Sequence, residues 1–311
     1  MAITASMVKE LREMTGAGMM DCKKALNETN GDMDAAVEFL RKNGQAKAEK
    51  KASRIAAEGL CTVVVKDDTT AAVVEVNSET DFVASNATFK EYVQKVANAA
   101  LNTEATDLEG FLADKWPEDP SKTVSESLVD MIAVISEKLS IRRFEKVEAA
   151  NGLVASYVHG GGRIAVLVEA ESDVVNDEIR EAVRNVAMQV AALSPKYVSE
   201  EDIPEDVRAH EKEILMAQIQ NDPKESQKPE KVIQGMIAGR INKELKEICL
   251  LDQVYVKAED GKQSVAQYVA QVAKANNATV AVKGFVRFET GEGIEKKEEN
   301  FAEEVAKQMN A

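Results

Sequence analysis

The spacing of apolar residues changes along the chain, and each spacing predicts a different kind of structure. Over residues 4–42 apolar positions recur every three or four residues, and Gly16 and Gly18 interrupt the pattern. This predicts three short helices that share a small core. Residues 45–58 continue with helix-favouring residues and several basic side chains. We interpret them as a solvated connector, with a basic docking stripe as the alternative.

From residue 59 the apolar period becomes two, which is the period of a half-buried strand. Residues 60–66 and 71–77 predict a β-hairpin with a polar turn between its strands. A helix is predicted from about residue 86 to residue 101. Helical patterns then continue through residues 107–114 and 123–140, with two prolines between them.

The same pattern then occurs a second time. Gly59-Leu60 is matched by Gly152-Leu153, and from Val74 onward the matching residues are aligned with an offset of 92 positions, so that residues 79–83 align with residues 171–175. A second strand pair flanks a glycine-rich turn in this copy. Two related strand-hairpin-helix subdomains are therefore predicted, in an α+β arrangement.

Residues 75–84 form the first candidate site. Val74 and Val76 alternate with polar residues, as in a half-buried strand that ends here, and Thr80 and Asp81 favour a helix N-cap. Phe82 lies outside any apolar stripe. It is either a hydrophobic anchor that fixes the entry of the chain into the helix, or part of a pair with Asp81 that is presented to another protein. The alignment above places Val174 opposite Phe82, which favours the functional interpretation, because an anchor would be expected in both copies.

The second copy is interrupted by residues 205–248. Two apolar stripes flank a polar turn that is bounded by Pro223 and Pro229, which predicts an antiparallel helical hairpin with arms of about 25–30 Å. The remaining chain is predicted to contain, in order, a strand at 254–256, a helix at 265–273, a strand at 279–288 and a last amphipathic helix. We interpret this last helix either as a structural cap or as a docking arm.

Composition limits the chemistry. The chain has 311 residues, a formal net charge of −15 and 44% hydrophobic residues, which argues against general affinity for nucleic acid or for anionic membranes. No apolar run is long enough to span a bilayer, and the start resembles neither a signal nor a transit peptide, so we expect a cytoplasmic protein. The three cysteines are far apart in sequence and are expected to be reduced.

Few residues could support catalysis. There are only two histidines, His159 and His210, and the sequence contains no phosphate-binding glycine loop. We therefore expect no catalytic residues, no cofactor and no metal site. A hydrolase built on scattered carboxylates is the alternative, and nothing in the sequence brings such carboxylates together.

Two segments resemble a known family. Residues 11–26, LREMTGAGMMDCKKAL, resemble the N-terminal signature of bacterial elongation factor Ts, and residues 75–83, centred on Thr80-Asp81-Phe82-Val83, resemble the second signature. The segment from Tyr157 through His159 to Ile164 is similar to a hairpin of the family's second subdomain. Ser85 departs from the basic or amide residue that is usual there, which concerns the outer contacts of the following helix.

The order of modules also resembles this family. The resemblance divides the chain into a ubiquitin-associated-like three-helix domain at 1–55, core subdomain N at 56–144, core subdomain C at 145–200 and 250–289, a helical (coiled-coil) hairpin insertion at 201–249, and a C-terminal helical module at 290–311.

The resemblance implies a guanine-nucleotide exchange factor for elongation factor Tu in translation elongation. Such a protein binds both GDP-bound and nucleotide-free elongation factor Tu and performs no chemistry of its own. We expect a monomer that forms a one-to-one heterodimer with this partner, without stable nucleic acid or a membrane. A passive binding module or chaperone, which would leave the rate of nucleotide release unchanged, is the alternative.

The resemblance also implies roles for individual residues. The element that dislodges the partner's magnesium ion corresponds to Thr80, Asp81, Phe82 and Val83. The N-terminal docking residues correspond to Leu11, Met19, Met20 and Lys23. His159 is a candidate contact of the second subdomain. The methionines could instead fill the core, and His159 could simply be oriented by local hydrogen bonds.

Overall fold

Three helices form the N-terminal part of the computed structural model, which describes residues 3–295. They are α1 (Ala5–Thr15), α2 (Met19–Glu28) and α3 (Met33–Lys51). Thr4 caps α1 through its side chain, and Gly16 ends the helix at a φ of 67°, which glycine adopts without steric cost. The apolar sides of the three helices enclose one small core. The helix α3 is longer than predicted and includes the first half of the expected connector, up to Lys51.

The first core subdomain follows. Its elements are, in order, β1 (Glu58–Lys66), β2 (Thr70–Ser78), α4 (Asp81–Ser85), α5 (Ala87–Asn102), α6 (Leu108–Ala113), β3 (Lys115–Trp116), β4 (Asp119–Thr123), α7 (Val124–Ile135) and β5 (Leu139–Glu148). The strands β1, β2 and β5 form an antiparallel sheet in the order β1-β2-β5, and β3 pairs with β4.

The second subdomain has the same sheet topology. Its elements are, in order, β6 (Gly152–His159), β7 (Ile164–Ser172), α8 (Asp177–Leu193), α9 (Glu205–Asn221), α10 (Glu230–Ile248), α11 (Val265–Ala275) and β8 (Val280–Glu289). Its sheet has the order β6-β7-β8 and is also antiparallel. Short 3₁₀ turns at Glu200–Asp202 and Leu250–Asp252 flank the hairpin formed by α9 and α10. The predicted α+β fold is confirmed.

The two sheets pack face to face, and helices cover their outer faces. Along β2, Val74 and Val76 contact the helices of the first subdomain, while Ala71 and Val73 contact the second sheet. A separate core lies between the second sheet and its helices α8 and α11. Because β2 is buried on both faces, the prediction of a half-buried strand was wrong for this element: its polar residue Glu75 is also fully buried.

Two secondary-structure predictions need correction. Residues 139–140 begin a strand and do not extend a helix, because Ser136 ends α7 in the left-handed conformation at a φ of 67°. Residues 254–256 form no strand, only a single bridge between Val254 and Ser264.

The first of these corrections affects the boundary between the subdomains. Since β5 pairs with β2 over its whole length, the predicted boundary between residues 144 and 145 divides a strand. We propose that the first subdomain extends through Glu148.

The register of the internal repeat also differs from the prediction. Ser78 and Ser172, which end β2 and β7, lie 94 positions apart, and the strands have equal length. The N-cap residues of the following helices, Asn86 and Asn176, lie only 90 positions apart. The first copy therefore has four more residues between strand and helix, and α4 lies in this longer segment. The offset of 92 was wrong because a slip of two residues preserves the apolar alternation of a strand.

The turn between β6 and β7 is packed against the first sheet and requires glycine. Gly162 has a φ of 104°, and a Cβ there would lie 2.7 Å from Leu60 Cδ2. Its carbonyl accepts hydrogen bonds from the backbone N–H of Cys61 at 2.7 Å and from Thr290 Oγ1 at 3.1 Å. This turn therefore joins the two subdomains.

We predict that Gly162→Ala lowers the free energy of unfolding by about 2–3 kcal/mol, because it combines backbone strain with a steric overlap. Gly161→Ala is the matched control: its φ is 66°, but no atom lies within 4 Å of the added Cβ. It should cost only about 1–2 kcal/mol. Urea unfolding of both variants measures the difference, and equal losses would contradict the packing argument.

No helix within residues 3–295 is long and apolar enough to cross a membrane. The predicted C-terminal helix, with Phe301, Val305 and Met309, lies outside the described residues.

Candidate functional site

The turn that carries Phe82 is built from two consecutive helix caps. Thr80 caps α4, and its Oγ1 accepts a hydrogen bond from the backbone N–H of Val83 at 3.3 Å. Asn86 caps α5, and its Oδ1 accepts from the N–H of Thr88 at 2.8 Å. Before the first cap, Ser78 Oγ donates to the carbonyl of Thr80 at 3.0 Å. These bonds form a corner at the end of the central strand β2.

Phe82 is presented to solvent at this corner, with 84% of its surface exposed. The anchor interpretation is therefore wrong for Phe82. Its neighbour Val83 is partly buried and packs against the core of the first subdomain, so it has the anchoring role. Asp81 is exposed in the first turn of α4, where a carboxylate interacts favourably with the helix N-terminus. Val174 is not the counterpart of Phe82. Phe82 lies in the segment between strand and helix, which is four residues longer in the first copy than in the second.

Two glutamates hold the corner from the side. Glu137 accepts hydrogen bonds from the backbone N–H of Thr80 at 3.1 Å and from Thr80 Oγ1 at 2.7 Å. Glu79 accepts hydrogen bonds from the backbone N–H of Lys138 and from Arg54 Nη1, the latter at 3.2 Å. Sequence reasoning missed Glu137 because residues 123–140 were predicted to be helical.

The predicted docking residues of the N-terminal domain divide into two groups. Met19 and Met20, at the start of α2, are 54% and 75% exposed, and Lys23 is exposed one turn further on. They are not core filler. Leu11 is fully buried in the three-helix core. Direct contact of the Leu11 side chain with a partner was therefore a wrong prediction, and we assign it a packing role. Met14, which is 59% exposed, adds a third methionine at this end of the domain.

The N-terminal domain packs on the first subdomain through α3 and α7. Gly44 of α3 lies so close to α7 that a Cβ there would be 3.6 Å from Val129 and 3.8 Å from Ala133. At the start of the linker that follows α3, the carbonyl of Arg54 accepts a hydrogen bond from Lys138 Nζ at 2.6 Å. The exposed methionines and the Phe82 corner thus belong to units that contact each other.

His159 lies at the exposed end of β6, next to the glycine turn. Its Nδ1 is 3.1 Å from the hydroxyl of Tyr157, so a local hydrogen bond orients the ring. Since the ring is also exposed, this arrangement is compatible with both interpretations of His159.

Within residues 3–295 there is no group of three or more His, Cys, Asp or Glu residues that could hold a metal ion. The cysteines Cys22, Cys61 and Cys249 are buried and free. Burial raises the pKa of the Cys61 thiol to about 12, so this side chain is a protonated part of the core. These residues supply no arrangement for nucleophilic catalysis.

Exposed apolar side chains lie at two places on this scaffold, at the start of α2 and at the Phe82 corner. This arrangement is typical of a protein that acts by contacting another macromolecule. The family described as "Elongation factor TS" matches residues 79–292. The elongation factor Ts of Clostridioides difficile (strain 630) is 52% identical over 308 residues, which cover 99% of both chains. The elongation factors Ts of Clostridium novyi (strain NT) and Clostridium perfringens (strain 13 / Type A) are 48% and 50% identical, and each alignment covers 98–99% of both chains.

These similarities identify the class of protein as a translation elongation factor. The chain belongs to the elongation factor Ts family.

Proposed function

We propose that this chain is a guanine-nucleotide exchange factor for elongation factor Tu, and that the corner at residues 80–83 is its exchange element. The single observation that carries this proposal is the exposure of Phe82 on a turn with capped ends. A large aromatic side chain held in water has an unfavourable free energy that burial in a partner would relieve. Asp81 adds a negative charge beside it.

The mechanism follows from how a GTPase holds its nucleotide. Backbone amides, a lysine and a magnesium ion bind the phosphates. Insertion of Phe82 into the partner, with Asp81 beside it, displaces the elements that hold the ion, and the nucleotide is then bound less tightly. By linkage, GTP or GDP weakens the complex by the same factor by which the complex weakens nucleotide binding. The chain therefore accelerates exchange without determining its direction.

The other surfaces supply affinity in this proposal. Met19, Met20 and Lys23 dock the N-terminal domain on the partner, since flexible methionines adapt to a partner surface. His159 contacts a different part of the partner. One chain contains both core subdomains, so we propose a monomer that binds one elongation factor Tu.

The proposal is tested by stopped-flow release of fluorescent GDP from purified bacterial elongation factor Tu. The chain should accelerate release strongly at catalytic concentrations. Formation of a complex without acceleration would show a passive binding module and would contradict the proposal. Incubation of the chain alone with GTP provides the check on the hydrolase alternative, for which turnover without a partner would be observed.

We predict that Met20→Ala weakens the affinity for nucleotide-free elongation factor Tu by about tenfold, because the variant loses apolar area that docking buries. The limiting rate of GDP release at saturating concentration should change little. Isothermal titration and stopped-flow release measure the two quantities. Leu11→Ala is the contrasting variant: it should destabilise the three-helix domain by about 2–5 kcal/mol, since it removes a buried side chain. An unchanged affinity for Met20→Ala would remove this side chain from the docking surface.

A further inference from the structure

We propose that Glu137 is a positioning residue for nucleotide exchange. Its carboxylate holds Thr80, and through Thr80 it holds α4 in the geometry that presents Phe82. This inference rests on the proposed function, because it assigns a further residue to the same site.

The contacts of Glu137 account for this role. Both carboxylate oxygens are used, one by the backbone N–H of Thr80 at 3.1 Å and the other by its hydroxyl at 2.7 Å. The same hydroxyl oxygen accepts the capping hydrogen bond from the N–H of Val83. Glu137 therefore fixes both the position and the orientation of the cap. Because α4 has only five residues, it has little stability of its own and depends on such external contacts.

Glu137 is itself held firmly, in a segment that we call the junction loop (residues 136–138). The left-handed Ser136 ends α7 immediately before it, and β5 begins immediately after it. The backbone N–H of Lys138 donates to the carboxylate of Glu79, which precedes Thr80 in the chain. The junction loop and the corner are thus joined by hydrogen bonds in both directions: Thr80 of the corner donates to Glu137 of the loop, and the backbone N–H of Lys138 in the loop donates to Glu79.

The junction loop also connects the corner to the docking domain. Helix α3 of the N-terminal domain packs on α7, with Gly44 against Val129 and Ala133. The junction loop is the continuation of α7, and Lys138 Nζ also binds the carbonyl of Arg54 at the end of the N-terminal unit. The position of Phe82 relative to the docking surface is therefore determined through the junction loop.

This geometry predicts which kinetic quantity depends on Glu137. Affinity for the partner is distributed over the docking residues, which Glu137 does not contact. A loose α4 would have to be ordered each time Phe82 is inserted, and this entropy loss opposes the step that releases the nucleotide. Loss of Glu137 should therefore lower the limiting rate much more than the affinity.

The test uses the full chain with Glu137→Ala and Glu137→Gln. We expect Glu137→Ala to lower the limiting rate of fluorescent GDP release from elongation factor Tu by about tenfold. Its affinity for the nucleotide-free partner should stay within about threefold of wild type. Glu137→Gln should recover most of the rate, because the amide oxygen can still accept from the backbone N–H of Thr80.

Glu126→Ala is the matched control. It removes a glutamate from α7, the helix that precedes the junction loop. Glu126 accepts a hydrogen bond from the backbone N–H of Thr123 at 2.7 Å in the capping box of α7. This end of α7 is about 18 Å from the junction loop, as the rise of a helix predicts. The control should lose a similar amount of thermal stability without a change in the limiting rate.

A double-mutant cycle with Phe82→Ala distinguishes positioning from a structural role. If Glu137 acts through Phe82, the double variant releases GDP no more slowly than Phe82→Ala alone. Independent losses that multiply would overturn the inference, as would a Glu137→Ala variant with a lower melting temperature and an unchanged limiting rate.

The outcomes also separate this inference from the proposed function. If wild type and Glu137→Ala accelerate release equally and Phe82→Ala does not, only the role of Glu137 is overturned. If wild type does not accelerate release, the proposed function is overturned, and the inference with it.

Discussion

Phe82→Ala is expected to slow the stimulated release of GDP from elongation factor Tu by about one to two decades. Full burial of a phenylalanine side chain stabilises a complex by about 1.5–3 kcal/mol, and each 1.4 kcal/mol corresponds to about tenfold. Because Phe82 is 84% exposed in the free chain, it makes little contribution to the fold. The whole effect should therefore appear in exchange, which stopped-flow release of fluorescent GDP measures at saturating concentrations of the variant.

Two controls make this result specific. The melting temperature of Phe82→Ala should equal that of wild type, since the side chain is exposed and makes no capping hydrogen bond, and such substitutions change stability by about 0.5 kcal/mol or less. Val254→Ala removes another exposed apolar side chain, in the second subdomain, and should leave the release rate unchanged. A Phe82→Ala variant as fast as wild type would remove Phe82 from the mechanism.

Glu75→Ala is expected to lower the free energy of unfolding by about 3–5 kcal/mol. Glu75 is fully buried on β2, and it accepts hydrogen bonds from Arg142 Nη1 at 3.0 Å and from Arg143 Nε. It also accepts from the backbone N–H of Gly291 at 2.8 Å, beyond the end of β8. The substitution leaves both guanidinium groups without this partner at the contact between the sheets, and removal of one member of a buried ion pair has a cost of this size.

Urea unfolding measures this loss, and Glu145→Ala is the matched control. Glu145 lies on the neighbouring strand β5, but it is exposed, so its removal should change stability by about 0.5 kcal/mol or less. Glu75→Gln keeps the shape of the side chain and removes only the charge, and an intermediate loss is expected. A Glu75→Ala variant within 0.5 kcal/mol of wild type would show that the ion pair makes no net contribution.

Glu75 and its hydrogen-bond partners also predict how the free energy of unfolding depends on pH. Burial raises the pKa of the Glu75 carboxyl, but the hydrogen bonds from Gly291, Asn77 and Arg142 and the charge of Arg143 outweigh it, so the pKa lies below its usual value. A carboxyl whose pKa is lower in the folded state contributes stability above its unfolded pKa of about 4.3. This contribution is lost as the pH falls below about 4.3 and through the folded pKa. In the Glu75→Gln variant, this decrease in the free energy of unfolding at low pH should be absent.

The local sequence predicted most of the elements because apolar periodicity and capping residues are local signals. The hairpin of β1 and β2, the helices α5 and α11, and the long arms α9 and α10 lie close to their predicted bounds. The signal failed at residues 139–140, where a helical pattern ran into β5. It failed again in the repeat, since a period of two cannot distinguish an offset of 92 from one of 94.

The candidate site shows the same division. The residue types of the corner, with Thr80 at the cap and Phe82 outside any stripe, were visible in the sequence, and so were Met19 and Met20. Leu11 was wrongly grouped with the exposed docking residues. The signature at residues 11–26 contains both buried and exposed side chains, because α1 and α2 each have one face in the core and one in solvent. Glu137 was missed because it is 57 residues from Thr80 in the chain, and no local pattern connects them.

The sequence by itself determined the secondary structure in outline, the internal repeat, the family resemblance and the identity of the exposed aromatic. Only the tertiary structure decided that β2 is buried on both faces, that Glu75 is paired with two arginines at the contact between the sheets, and that Glu137 holds Thr80. The physical reason is that periodicity and capping depend on neighbours in the chain. Burial of a second face, ion pairing and positioning depend on groups that only the packing of the two sheets and of α7 brings together.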